Sequence, residues 1–296
     1  MKIIDLHTHS ACSDGSMKPR ELVRHAKEAG LTAIALSDHD CVSGVGEAVD
    51  EGLKIGIEVI PAVELSAISD TETHILGYFI DINNKKLLER LEYAKQVRYE
   101  REVETCEKLN AAGFPVTMEE VEAVADSDIL CRAHFAKIMV QKGYVTTVKE
   151  AFDKYLDNGR VAYSGKQAFT DTEAVELING AGGLAFCAHL HLTRKPLPML
   201  EEFLSRLKDA GLAGVEGYYT YYTPEMERDY RALAAKLGLI ISGGTDFHGS
   251  FKPQIAVGKG LGSLEIPYSV LENMKKLHME RYGYIYAFKE QREKLI

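Results

Sequence analysis

Residues 3–40 read IIDLHTHSACSDGSMKPRELVRHAKEAGLTAIALSDHD. Ile3 to Leu6 is a short apolar run suited to a strand. Pro19 opens a helix that Gly30 closes, and Thr32 to Leu36 is a second strand. Strand, helix and strand at this pace form a parallel unit, because parallel strands need a crossover. Working outward, a helix at Glu47 to Leu53 precedes a strand at Val59 to Val63, and a fourth apolar run spans His74 to Ile80. Further on, helices at Thr172–Asn179, Leu197–Ala210, Pro224–Leu237 and Tyr268–Arg281 alternate with strands at Leu184–Ala188, Ala213–Tyr218 and Leu239–Ser242. About seven strands in parallel α/β order predict a barrel rather than an open sheet. No GxGxxG follows the first strand, which argues against a dinucleotide-binding fold.

Between these stretches the rhythm changes. From about Lys85 to Arg160 the pattern is helical. Leu87, Leu88, Leu91, Ala94 and Val97 share a face, the charged stretch Glu100 to Lys108 continues the helix, and Gly113-Phe114-Pro115 stops it. Further helical groups run from Arg132 to Gly143 and from Thr147 to Leu156. The expected organisation is a barrel from residues 1–84 and 161–296, with an α-helical insertion at 85–160 capping the active site.

Of the 296 residues, 46% are hydrophobic and 27% charged, which fits a globular chain and excludes general disorder. The net charge of −9 makes it a poor binder of duplex nucleic acid or an anionic membrane through bulk charge. No apolar run approaches the roughly 18 residues that cross a bilayer. MKIIDLHTHS lacks a signal-peptide core. Cys12, Cys41, Cys106, Cys131 and Cys187 form no CxxC pair, so neither a disulfide framework nor a thiolate zinc site is indicated, and the expected location is the reducing cytoplasm.

The chemistry collects at strand ends. His7, His9 and Asp14 follow the first strand, His39 the second and Glu64 the third; His74 opens the fourth, His189 ends GLAFCAH, and Asp246 and His248 lie in GGTDFHG. In a parallel barrel these ends converge on one face. A lone histidine is usually structural, but His7-x-His9 places two imidazoles on one side of a strand, and six histidines with three carboxylates recur at the same topological place. Nine ligands exceed the four of one tetrahedral ion and suffice for two or three, with Glu64 a natural bridge because a carboxylate offers two oxygens. Nitrogen and oxygen ligands without thiolate suit Mn, Fe or Zn. Such ions lower the pKa of water from about 15.7 to about 7, giving a nucleophile without Ser or Cys, and they attract an anionic phosphoester despite the overall charge.

DLHTHSACSDGS, LSDHD, the Glu of AVELSA and GGTDFHG resemble the successive motifs of the polymerase and histidinol phosphatase (PHP) family of metal-dependent phosphoesterases. The resemblance spans nearly the whole chain. It implies a distorted (β/α)7 TIM-like barrel with three metal sites: His7, His9, Glu64 and Asp246 for the first; Glu64, His74 and His189 for the second; Asp14, His39 and His248 for the third. Glu64, Asp246 and His248 are expected at the reacting centre, and manganese is the expected metal. One departure is CAHLHL, which replaces a common His-Pro, keeps His189 and leaves open the next loop and the role of His191.

The segment RAHFAKIMVQKGY resembles the branch containing 3′,5′-nucleoside bisphosphate phosphatases and 5′-to-3′ exoribonucleases. Arg132 and His134, near a helix start, are therefore expected to contact phosphate; the alternative is a solvated Arg and a packing His. Arg194 and Lys195, just past His189, are either contacts for a second phosphate or part of a surface loop. Arg98 and Arg101 share a helical face that either overhangs the site or, the favoured reading, is a solvated charged surface. Tyr218, Tyr219, Tyr221 and Tyr222 are either a nucleobase platform or strand-end packing. Asp38 and Asp40 are candidates for orienting ligands, with a turn or helix cap the alternative for Asp40, while His25 and His278 read as structural or surface residues. The expected activity is removal of the 3′-phosphate from a nucleoside 3′,5′-bisphosphate. Alternatives are 5′-to-3′ hydrolysis of short single-stranded RNA, histidinol phosphate hydrolysis, or a non-catalytic metal-stabilised interaction domain.

Overall fold

The computed structural model describes residues 2–69, 72–125 and 129–284. Seven strands form the barrel wall: β1 (Ile3–Thr8), β2 (Ala33–Leu36), β3 (Glu58–Ile68), β4 (Glu72–Tyr78), β6 (Leu184–Cys187), β7 (Gly214–Tyr219) and β8 (Ile240–Gly244). Two-residue strands β5 (Phe169–Thr170) and β9 (Ile266–Pro267) pair with β3 and β1. The order β8-β7-β6-β4-β3-β2-β1 is closed by backbone bonds beyond β8: Asp246 N–H donates to His7 O and His9 N–H to Phe247 O, each at 2.9 Å. The result is a nearly closed barrel ringed by helices.

The expectation of wholly parallel order needs correction at one strand. β4 runs antiparallel to both β3 and β6. The link from Ile68 to Glu72 is too short for a crossover, so the chain must reverse. This reversal has a functional consequence. It puts the beginning of β4, opposite the end of β3 in the pairing Ser66↔His74, at the same barrel rim as the ends of the parallel strands.

Strand alternation divides the apolar residues into two layers. Ile4, Leu6, Ala35, Ile60, Ala62, Leu76, Tyr78 and Phe186 fill the interior, joined by Val270, Leu271 and Met274 of α10 (Ser269–Tyr282). Ile34, Val59, Val63, Ile75, Cys187 and Val215 face outward under the helices. These are α1 (Pro19–Glu28), α2 (Val45–Ile55), α7 (Asp171–Gly180), α8 (Leu197–Asp209) and α9 (Pro224–Leu237). On β1 the register shifts between Asp5 and Thr8. As a result the consecutive Leu6 and His7 both reach the interior, Leu6 in the apolar cluster and His7 on the inner carboxylate Glu216.

The 85–160 region holds α3 (Lys85–Ala111), α4 (Met118–Ala125), α5 (Arg132–Gln141) and α6 (Val148–Ala151), with a π-helical turn at Phe152–Leu156. The short α4 has no counterpart in the sequence reading. Leu109, Val121, Phe135, Met139 and Leu156 make a separate apolar cluster, whereas Leu87, Leu91 and Ala94 of α3 belong to the barrel's outer layer. One long helix thus spans both.

Barrel closure leaves little room at Gly244. A Cβ there would lie 2.1 Å from His7 Cβ and 2.4 Å from its N. Gly244→Ala is expected to lower stability by about 1–3 kcal/mol and displace His7. Gly46→Ala, in α2 with nothing within 4 Å, should instead stabilise by up to about 1 kcal/mol. Denaturant titration of both variants checks the contrast; equal effects would show that β1 and β8 yield freely.

Candidate metal centre

All nine residues expected as ligands meet at one end of the barrel. Glu64 is the hub. Its Oε1 lies 2.9 Å from His74 Nδ1 and 3.0 Å from His189 Nε2; its Oε2 lies 3.2 Å from His7 Nε2, 3.3 Å from His9 Nε2 and 3.2 Å from His39 Nδ1. Asp246 Oδ1 is 3.3 Å from His9 Nε2, and Asp14 Oδ1 is 3.2 Å from His248 Nε2. Four groups have donor atoms within 4.8 Å of one another: His7, His9 and Asp246; His9, Asp14, His39 and His248; His7, Glu64 and His189; and His39, Glu64 and His74. The first two resemble the sets implied by the family pattern, with His9 shared. The implied second set differs, because His74 and His189 fall into separate groups around Glu64.

The donor atoms fit cations better than they fit one another. His7 Nε2, both nitrogens of His9, His39 Nδ1 and Glu64 Oε2 are buried and lack aligned hydrogen-bond partners despite their short separations. Buried polar atoms are ordinarily satisfied, so lone pairs converging unpaired on a common centre mark a ligand set. The electrostatics agree. Burial opposes charge on His9, but the neighbouring carboxylates, Asp246 first and then Glu64, outweigh it and lift the imidazole to about 9. His7 is raised well above its ordinary value against burial by Glu64 and Glu216. Burial depresses His39 and, with help from Lys252, His248. Burial would raise Glu64, Asp14 and Asp246, yet imidazoles, and for Asp246 first Lys252, hold all three well below the carboxylate range.

Behind these residues lies a supporting layer, most of which sequence reasoning missed. Glu216 Oε1 is 2.9 Å from His7 Nδ1, and its Oε2 accepts from His189 N–H at 2.7 Å. A carboxylate on the far nitrogen fixes a ligating histidine's tautomer and rotation. The signal was present: a single charge inside the apolar strand GVEGYY, fully buried. Asp5 accepts from Thr245 N–H at 2.9 Å, Thr245 Oγ1 at 2.6 Å and Gly258 N–H at 2.8 Å, tying β1 to the loop that follows β8. Asp38 accepts from Ser10 N–H, Ser10 Oγ and Ser13 Oγ, which secures the loop bearing Asp14. Asp40, at φ 48, accepts from Ser66 N–H at 2.9 Å. Tyr219 OH donates to Asp246 Oδ2 at 2.9 Å, and Lys252, raised against burial by Asp246, donates to the same oxygen at 2.6 Å.

A cavity of about 990 Å³ opens above the cluster, lined by Glu64, His74, His189, Arg98, Arg101 and Arg132 among others. Here the substrate expectations divide. Arg132 lines the cavity, with its guanidinium over Tyr163 at 5.3 Å. His134 does not; its Nδ1 accepts from Cys131 N–H at 3.1 Å and its ring meets Phe251. Arg194 and Lys195 also lie outside the lining. Backbone reversal at His189 (φ 26) and Arg194 (φ 56) exposes Arg194, and Lys195 Nζ sits over Phe203 of α8 at 5.2 Å.

The reading of Arg98 and Arg101 as solvated is corrected: both are buried. They continue the helical stripe Leu87-Leu91-Ala94, which turns polar where α3 passes the cavity. Arg98 pairs with Asp40 and donates to Ser66 Oγ at 2.7 Å; Arg101 holds Glu102 at 2.7 Å. Among the tyrosines, Tyr219 is committed to Asp246, Tyr222 OH accepts from Leu190 N–H, and Tyr218 lies under Arg231. Tyr221 is exposed and lines the cavity, as does His191, which burial and His189 push down to about 4. His25 packs on Phe247, and His278 bonds Gly182 O.

Two outcomes follow from this layer. Glu216→Gln is expected to weaken metal binding about 10–100-fold, the usual effect of losing such a partner; metal titration monitored by calorimetry reads it, and wild-type affinity would remove Glu216 from the site. His9 is protonated below about 9 and must be neutral to ligate. Metal uptake at pH 7.5 should therefore release protons, and affinity should climb as pH rises towards 9. Titration in buffers of differing ionisation enthalpy measures the release, and none at all would contradict it.

The PHP domain model matches residues 5–241. A 5′-3′ exoribonuclease from Haemophilus influenzae is 34% identical over 248 residues, covering 83% of this chain and 90% of that one. A 3′,5′-nucleoside bisphosphate phosphatase from Chromobacterium violaceum is 32% identical over 250 residues, 84% of this chain and 88% of the relative. A solved structure from Bifidobacterium adolescentis, described as a metal-dependent phosphoesterase, superposes with a TM-score of 0.82 at 28% identity, covering 92% of this chain and 95% of its own. No helix among the described residues is long and apolar enough to cross a membrane. On these matches, which run through most of its length, the chain belongs to the PHP family of metal-dependent phosphoesterases.

Proposed function

We propose that this phosphoesterase removes the 3′-phosphate from nucleoside 3′,5′-bisphosphates, with two or three manganese ions held by His7, His9, Asp14, His39, Glu64, His74, His189, Asp246 and His248. One observation carries the reading: a single cavity joins that cluster to Arg132 and Lys149, beside Arg98 and Arg101, whose charges are already met by Asp40 and Glu102. A site for one phosphate needs only the cluster. Cationic side chains apart from the cluster suit a substrate with another phosphate some distance away. The C. violaceum relative, named as a bisphosphate phosphatase, supports the same substrate class.

When bound, divalent ions supply Lewis-acid stabilisation of phosphoryl charge and an activated water. The protein's own part is to hold the reacting groups still. Glu216 fixes His7, Asp38 and Asp5 secure the flanking loops, and the buried rim limits water around the phosphate. The helical region 85–160 acts as a cap in this reading, since α3 and α5 carry Arg98, Arg101 and Arg132 into the cavity.

A second reading, 5′-to-3′ hydrolysis of short RNA, is favoured by the name of the H. influenzae relative. One experiment separates the two. Manganese-loaded protein is incubated with nucleoside 3′,5′-bisphosphates, short 5′-phosphorylated RNAs and histidinol phosphate, and the products are resolved by chromatography. The first reading expects nucleoside 5′-monophosphate and inorganic phosphate; mononucleotides from the oligomer support the second. Turnover of histidinol phosphate alone would overturn both.

A further inference from the structure

Lys252 follows Asp246 by six residues and belongs to none of the motifs that mark the site. Its Nζ lies 2.6 Å from Asp246 Oδ2, the oxygen that Tyr219 OH also meets at 2.9 Å. Together they occupy Oδ2 and leave Oδ1 facing His7 and His9 at 3.7 and 3.3 Å. An ammonium carries three N–H groups. Among the described residues, Asp246 is the acceptor recorded for Lys252, so two donors remain for something else. The side chain is about one-third exposed, and it lines the cavity together with Glu64, His74 and His189.

The position is built into the fold. Gly249, at φ 64, has Ser16 Oγ where a Cβ would stand, 2.1 Å away, and the same Oγ accepts from Ser250 N–H at 2.8 Å. Phe251 is held by α5, with the His134 ring at 6.0 Å and Lys137 Nζ 4.9 Å above its face. The loop carrying Lys252 is thus pinned on one side by the β1 loop and on the other by the 85–160 region.

Orienting Asp246 requires only a neutral donor, which Tyr219 already supplies. A lysine there repels any cation bound to the cluster, and that repulsion is relieved when an anion sits between them. The geometry points to Lys252 as a further catalytic residue, a cation that grips a non-bridging phosphoryl oxygen opposite the metal cluster. This rests on the phosphoester-hydrolase reading. Water supplies the oxygen that bonds to phosphorus, the bond to the leaving oxygen breaks, and water's protons end on the alcohol and phosphate. Lys252 donates hydrogen bonds throughout and transfers no proton, stabilising charge that is greatest in the transition state.

The test compares wild-type, Lys252→Met and Lys252→Arg proteins loaded with manganese. Metal content is read by mass spectrometry, inorganic phosphate affinity by calorimetry, and turnover by phosphate release. Lys252→Met should retain its manganese, bind phosphate at least about tenfold more weakly and lose about 100-fold or more in kcat. Lys252→Arg should recover part of the phosphate binding. Loss of manganese in step with activity in Lys252→Met would reduce Lys252 to a support for Asp246 and overturn the proposal, as would unchanged phosphate affinity. Wild-type protein that binds phosphate through Lys252 but hydrolyses no phosphoester would support the contact while defeating the hydrolase reading.

Discussion

One carboxylate organises the site. Glu64 is almost entirely buried and has five imidazole nitrogens within 3.3 Å of its two oxygens. A lone carboxylate in such surroundings would take a proton, because burial disfavours its charge. The imidazoles reverse that preference. They come from β1 and the residue after it, the loop after β2, β4 and the turn just beyond β6, so the barrel must close before Glu64 has its partners. Backbone pairing prepares the place: Glu64 N–H donates to Asp38 O at 3.1 Å and its carbonyl accepts from Asp40 N–H at 2.9 Å. The hub is thereby anchored by the segment that carries His39.

The sequence exposed the candidate ligands because their chemistry is concentrated in short motifs at strand ends, where a few residues carry both position and donor type. It did not expose the direction of β4, since apolar alternation is the same in either direction; connection length was the only clue. Glu216 was missed for a related reason: it stands alone within an apolar strand, and its meaning comes from His7, more than two hundred residues away. Arg194 and Lys195 show the opposite failure. Closeness in sequence to His189 suggested closeness in space, but the turn bounded by the positive-φ residues His189 and Arg194 keeps His191 and Leu192 on the cavity and leaves Arg194 and Lys195 off it.

The long helix α3 explains why charge content alone misled. Its buried stripe keeps helical spacing from Leu87 to Leu109 but changes character midway, from Leu and Ala against the barrel to Arg98, Arg101 and Glu102 beside the cavity. A charged residue on an apolar stripe is buried by its register, whatever its own preference for water. Its cost must then be offset by partners. Arg98 finds Asp40, Ser66 and Cys131; Arg101 finds Glu102 and Gln167. Through Asp40, the residue after His39, the same contact links the helical region to the metal-ligand rim.

Such a site opposes the stability of the fold that contains it. Unaligned imidazoles and carboxylates packed together leave buried polar atoms unsatisfied, and each costs about 1–3 kcal/mol relative to a paired one. The apolar interior below, from Ile4 to Met274, and the outer layer under the helices offset that burden. Relaxation by pairing is limited where a group is restrained from behind: the His7 ring by Glu216, the His248 ring by the Asp246 carbonyl at 2.8 Å, and the backbone of His189 by Glu216. The second layer therefore keeps the first from collapsing onto itself. Ions gain affinity from the donors left unsatisfied, on His7, His9, His39 and Glu64 Oε2, and the fold keeps those atoms from pairing with one another.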